Sequence, residues 1–131
     1  MSTANRTVLL IEDNEQNRYL ATFLLERHGF SVRSVGDGLA GIALARTFVP
    51  AVVLLDIQLP TMDGYAIARA LREIDALRMV PIIAVTSYAM PGDRQKAIAA
   101  GCTGYIEKPI DPESFAEEIA LAVSRSLEGG A

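Results

Sequence analysis

"VVLLDIQLPTMDG", residues 52–64, runs four apolar residues suited to a buried strand straight into Asp56, then reaches a second acid, Asp63, beside Gly64. An ionised carboxylate is costly to take out of water, so an Asp at the end of a buried strand needs a partner or a task. Asp63 has a simpler reading. It precedes Ile67, Leu71 and Ile74, which fall on one helical face, so it reads as a helix cap. The stretch is therefore strand, polar turn, helix. The same unit recurs on both sides of it.

Towards the N-terminus, "TVLLIE" (7–12) reads as a buried strand. It leads into a helix over "EQNRYLATFLLERHG" (15–29), with Leu20, Phe23, Leu24 and Arg27 near helical spacing and Gly29 as its stop. "FSVRSV" (30–35) alternates and reads as a more polar, edge-like strand. Asp37 then caps a helix through "GLAGIALARTF" (38–48), closed by Pro50. The central strand occupies about 51–55. Towards the C-terminus, "VPIIAVTS" (80–87) is a β-branched, apolar strand, and "PGDRQKAIAAG" (91–101) a helix with Pro91 at its start and Gly101 past its end. "TGYIEKP" (103–109) is the last strand. "DPESFAEEIALAVSRSL" (111–127) is the last helix, with Asp111 as cap, Pro112 first, and Phe115, Ile119 and Val123 on one face.

Five consecutive βα units with continuously apolar strands predict an α/β fold: a parallel sheet covered on both faces, doubly wound by right-handed crossovers into a three-layer sandwich. Because the second strand is the most polar, it belongs at an edge, which fits the flavodoxin-like order 2-1-3-4-5. The 131 residues suit a single domain, with a core over about 7–126 and short tails at each end. Half the residues are hydrophobic, which argues against disorder, and the net charge of −4 comes without a basic run, which argues against a nucleic-acid surface. No apolar stretch approaches the roughly 20 residues of a membrane span, and "MSTANRTVLLIED" is no signal peptide. Cys102 is the single cysteine, so neither an intrachain disulfide nor a cysteine metal cluster is expected, and it reads as a small buried residue. A cytoplasmic protein is the simplest reading.

In such folds ligands bind beyond the carboxyl ends of the strands. After strand 1 stand Glu12 and Asp13, after strand 3 Asp56, after strand 4 Thr86 and Ser87, and after strand 5 Glu107, Lys108 and Pro109. Clustered carboxylates share a proton or bind a cation. With oxygen donors and no His or Cys nearby, a hard ion such as Mg²⁺ fits better than zinc. A lysine and a hydroxyl complete a pocket for a tetrahedral oxyanion, in which Asp56 can act as a nucleophile toward phosphorus. His28, the sole histidine, reads as a last-turn helix residue suited to the helix dipole. It is a poor internal phosphodonor, so a donor would be another protein.

The motifs "LLIEDNEQNR", "VVLLDIQLPTMDG", "PIIAVTSYA" and "GYIEKPI", in this order and at these strand ends, resemble the receiver domain of bacterial two-component response regulators over about 7–126. The "EDNEQNR" start is most similar to single-domain regulators of the DivK type, although receivers of hybrid histidine kinases share it. The resemblance implies a CheY-like fold and a role for each strand end. Asp56 would accept a phosphoryl group from a histidine kinase or a histidine phosphotransfer protein. Asp13, Asp56 and the backbone carbonyl of Gln58 would bind Mg²⁺, with Glu12 reaching it through water. Lys108 would pair with Asp56 or its phosphate, and Thr86 would bond a phosphoryl oxygen. Tyr105 would be the switch aromatic coupled to Thr86, and the Lys108–Pro109 bond would be cis. Ser87 departs from a common alanine, while Gln58 and Tyr88 occupy positions that tune dephosphorylation in the family. The implied output is binding of a downstream protein target or onward relay, by a monomer or weak dimer that does not turn over substrate as an enzyme.

Three other classes compete. A phosphohydrolase with an Asp nucleophile would have a second Asp where Gln58 stands, and its nucleophile would follow the first strand. A flavin or nucleotide carrier would show a glycine-rich turn after strand 1, which is missing here. A degenerate receiver would lack site residues, and every one is present. A receiver excised from a hybrid histidine kinase or larger regulator stays open beside the single-domain reading.

Overall fold

The computed structural model describes residues 5–59, 62–87 and 90–129. Tyr88, read above as a tuning position, lies outside them. The elements run β1 (Thr7–Ile11), α1 (Glu15–Arg27), β2 (Ser31–Val35), α2 (Gly38–Ala45), β3 (Val52–Asp56), α3 (Gly64–Arg72), a 3-10 turn (Asp75–Leu77), β4 (Ile82–Thr86), α4 (Asp93–Ala99), β5 (Gly104–Glu107) and α5 (Phe115–Gly129). The strands form one parallel sheet in the order β2-β1-β3-β4-β5.

Strand alternation divides the core into two layers. Leu9, Ile11, Val53, Leu55, Ile82 and Ala84 face one side, against Ile42 of α2, Ile67 and Leu71 of α3 and Ala97 of α4. Val8, Leu10, Val52, Leu54 and Ile83 face the other, against Ala21 and Leu25 of α1 and Phe115 and Ile119 of α5. Both faces of β3 are covered, so all five of its residues are buried, Asp56 included. β2, at the sheet edge, is the exposed strand, as its polar pattern predicts. Each large aliphatic side chain buried in these layers contributes about 1.5–3 kcal/mol.

The helix starts are built from short polar side chains. Asn14 accepts from the N–H of Asn17 at 2.8 Å, Asp37 from that of Ala40 at 2.8 Å, and Asp63 from that of Tyr65 at 3.0 Å. Asp63 is thus the cap expected from its place before α3. His28 caps the end of α1 rather than lying in its last turn, and Gly29 follows with φ of 91°.

Three local expectations change. The buried side of α1 is Ala21 and Leu25, while Leu20 and Phe23 face outward, because α1 touches the sheet along a stripe one residue round from the predicted one. Pro91 does not open α4: Gly92, in the left-handed region at φ 89°, is its N-cap, and the helix begins at Asp93. Asp111 accepts from the N–H of Glu113 at 2.9 Å, but in a turn that precedes α5 rather than as its direct cap.

Candidate functional site

Among the described residues the buried polar or charged side chains are Glu12, Asp56 and Thr86. They stand just past β1, at the end of β3 and at the end of β4. Parallel strands put their carboxyl ends on one side, and the order β2-β1-β3-β4-β5 makes these strands neighbours, so topology alone gathers the three. Lys108 arrives from beyond β5. Its N–H donates to the carbonyl of Thr86 at 2.7 Å, and the peptide joining it to Pro109 is cis.

The two buried carboxylates are held by backbone N–H groups. The N–H of Gln58 donates to Asp56 Oδ1 at 2.9 Å, and the N–H of Asn14 donates to Glu12 Oε2 at 3.1 Å. Arg18 Nη1 donates to the Glu12 carbonyl at 2.8 Å, and the Glu12 N–H reaches the Val35 carbonyl at 3.1 Å. Gln58 Oε1 accepts from the N–H of Ser87 at 2.8 Å, joining the segments that follow β3 and β4.

Lys108 Nζ lies 2.7 Å from Glu12 Oε1 and 3.4 Å from Asp56 Oδ2. The resemblance implied a pairing with Asp56; here the shorter contact is to Glu12, and the ammonium spans both acids. Burial pushes the Glu12 carboxyl above its ordinary range, and the nearby Asp56 charge adds to this, while bonds from Lys108 and the Asn14 N–H oppose it. Glu12, Asp13 and Asp56 each bring a carboxylate oxygen within 4.8 Å of the others. Three carboxylates against one ammonium leave the cluster negative and open to a cation on the side of the exposed Asp13.

Tyr105 lies in register with Ala84 on the neighbouring strand. The Arg94 guanidinium sits 5.2 Å from its ring centroid, and its hydroxyl is buried with no hydrogen-bond partner among the described residues. Burial and the charges of Asp93 and Glu107 raise its pKa.

The response regulator receiver domain family matches over residues 8–120. This chain belongs to that family. The receiver is 40% identical over 114 residues to the polar-differentiation response regulators DivK of Brucella anthropi and Brucella ovis, covering 87% of this chain and 93% of theirs. Its structure matches the chemotaxis protein CheY4 of Vibrio cholerae with a TM-score of 0.86 at 27% identity, covering 91% of this chain and 99% of that one. It also matches the receiver domain of a sensor histidine kinase from Pseudomonas aeruginosa, with a TM-score of 0.84 at 32% identity over 92% and 99% of the two chains. That neighbour was solved with a magnesium ion coordinated in its active-site cleft. The doubly wound receiver fold expected from the sequence is the one observed.

Arg18 and the backbone donors at Asn14 and Ser87 had no role in the sequence reading. Arg18 carries a helical signal only, and backbone donors carry none.

Proposed function

We propose that Asp56 accepts a phosphoryl group from the phosphohistidine of a histidine kinase or phosphotransfer protein, in a Mg²⁺-dependent reaction, and that the phosphorylated receiver switches protein binding or relays the group. The observation that carries this is the coincidence of burial and position. The buried polar side chains among the described residues stand at three adjacent strand ends, and Lys108 bridges two of them.

In this reading an Asp56 carboxylate oxygen attacks phosphorus as the phosphorus–nitrogen bond of the donor breaks. The imidazole leaves with the bonding pair and ends protonated, and Asp56 becomes an acyl phosphate. The Gln58 N–H holds Oδ1 and so fixes the carboxylate plane. Lys108 supplies positive charge beside the phosphoryl oxygens. Thr86, fully within the sheet end, offers its hydroxyl to the new phosphate, and Tyr105 responds to its movement. Asp13, Asp56 and the Gln58 carbonyl would hold Mg²⁺, with Glu12 reaching it through water; an all-oxygen, net negative donor set suits a hard cation. When bound, Mg²⁺ offsets charge on the phosphoryl oxygens. The output face is the one formed by α4, β5 and α5, and the chain acts in the cytoplasm beside its kinase.

The 40% identity to the DivK relatives favours a DivK-type regulator, while the receiver domain of a sensor histidine kinase at 32% identity favours a receiver of a larger protein as the second reading. The test is phosphotransfer from labelled histidine kinases with Mg²⁺. Label should appear on the wild-type receiver, be lost on adding EDTA beforehand, and be absent from Asp56→Asn. Full labelling of that variant would sink the assignment.

A further inference from the structure

At the amino ends of β4 and β5, the opposite end of the sheet from Asp56, lies an open groove of about 730 Å³. One wall is a stripe of α5 at helical spacing, Glu118, Leu121 and Arg125. The other is the connection from α3 into β4, which presents Arg78 and Met79, and Ile106 of β5 lies between them. No residue of α4 lines it. The sheet order ends at β5, so the groove runs beside a backbone edge that carries no further strand.

The irregular wall is fixed from behind. Arg72 Nη1 donates to the carbonyls of Leu77 at 2.6 Å, Arg78 at 3.2 Å and Val80 at 2.8 Å, while its Nε and Nη2 hold the Gly101 carbonyl at 3.1 and 2.7 Å. Ser126 Oγ donates to the Met79 carbonyl at 2.8 Å and joins the two walls. Every carbonyl from 77 to 80 is thus held by a side chain, so the shape of the groove is set before anything enters it. What this frame displays is apolar and basic. Met79 is 64% and Leu121 53% exposed. Three arginines, Arg72, Arg78 and Arg125, face one acid, Glu118, in a chain whose net charge is −4. The Arg72 fork is committed to carbonyls, whereas Arg78 and Arg125 make no ion pair among the described residues, where the ion pairs belong to Lys108.

We propose that this groove docks an acidic segment of a partner protein that also carries apolar side chains, laid along the open edge of β5, and that docking does not depend on the state of Asp56. Two guanidiniums flanking an apolar trough suit carboxylates spaced along a peptide, each of which an arginine fork can take with two parallel bonds. An extended segment adds main-chain bonds to the free edge of β5 and places alternate side chains against Met79 and Leu121. A nucleic acid or an anionic membrane needs a broader basic surface, which a chain of net charge −4 without a basic run does not offer. The walls are fixed by Arg72 and Ser126, and neither bonds the carboxylate cluster, so the groove is a tether rather than an output face.

Selection of short random peptides displayed on phage against the full chain tests it, with counter-selection on the variant carrying Arg78→Glu and Arg125→Glu. Enriched sequences should combine acids with large apolar residues. As labelled synthetic peptides, they should lose at least about tenfold in affinity on that variant, and about as much on Leu121→Asp. Raising salt from roughly 50 to 300 mM should weaken them as well. Mg²⁺ with beryllofluoride, a phosphoryl mimic, should leave the affinity within about threefold. The charge reversals remove no ion pair, so the urea midpoint should hold; where it falls, Arg78→Gln and Met79→Ser carry the comparison. No enrichment, a basic or uncharged consensus, or equal binding to the reversed variant overturns the proposal. A larger beryllofluoride effect overturns the tether and assigns the groove to the output face. Concentration-dependent dimers in sedimentation that Arg125→Glu abolishes would give the groove to a second copy and overturn it too.

Discussion

Lys108 shows how much of the site depends on one residue. Its ammonium is 2.7 Å from Glu12 and 3.4 Å from Asp56, two acids that are otherwise buried. Removing one partner of a buried ion pair leaves an uncompensated charge, typically at a cost of about 3–5 kcal/mol. Lys108→Met should therefore lower the stability measured by urea unfolding at neutral pH without divalent cation by about 3 kcal/mol, and Mg²⁺ should restore part of it. Cys102 gives a second residue-scale prediction. Burial pushes its thiol up to about 11, from an ordinary 9.0, and the neighbouring Arg72 opposes this only in part. Between those values the unfolded thiol releases its proton while the native one keeps it. Stability then falls as pH rises from about 9 to about 11. Tyr65, pushed up to about 12, acts in the same direction at higher pH, so the readout is a difference: Cys102→Ala should flatten the decline in urea midpoint between pH 8.5 and 10.5 relative to wild type.

At the scale of elements, the caps carry modest and separable energies. Asp37→Ala should cost about 1 kcal/mol by removing the acceptor for the Ala40 N–H, read from the urea midpoint with an unchanged slope. Gly64→Ala should cost more. A Cβ there would meet the Ile57 Cα at 2.5 Å and its carbonyl oxygen at 2.6 Å, and the obstacle is backbone. The turn after β3 is closed at that point by the Gly64 N–H to the Ile57 carbonyl and by the Gln58–Asp63 bridge. The substitution should therefore also slow labelling of Asp56, one residue upstream of the displaced backbone.

These elements also show what can be read from a chain and what cannot. Asp37 and Asp63 were legible as caps because the bond they make closes within three residues. Glu12, Asp56 and Thr86 were legible because each ends an apolar run, and Lys108 because it follows the next strand, and parallel topology sends every such end to one place. Arg72 was not. Its carbonyl partner Gly101 lies 29 positions away, and an arginine in the last turn of an amphipathic helix looks solvated. Arg6, which caps α1 through the carbonyls of His28 and Gly29 and stacks on Phe30, was hidden for the same reason. The face of α1 was misread because Phe23 is more apolar than Ala21, yet it is Ala21 that lets the helix approach the sheet.

For the whole molecule, a cation that binds only the native site stabilises by mass action, by about 2.7 kcal/mol at a hundredfold excess over its Kd. Mg²⁺ should thus raise the thermal midpoint of the wild-type receiver in a saturable way, and Asp13→Asn should abolish most of that rise. An unchanged Mg²⁺ response in this variant would remove Asp13 from the proposed ligand set.

The sheet order has one more consequence, which concerns synthesis rather than the finished fold. The chain is made from its N-terminus, and β5, which brings in Lys108, is the last strand to be made and sits at the sheet edge beside β4. A nascent or truncated chain that already displays Asp56 has no lysine across from it and no neighbour to align β4's outer side. On the proposed phosphoryl transfer to Asp56, a copy that ends before Lys108 lacks the ammonium beside that carboxylate and should compete poorly with finished ones for the donor's phosphoryl group.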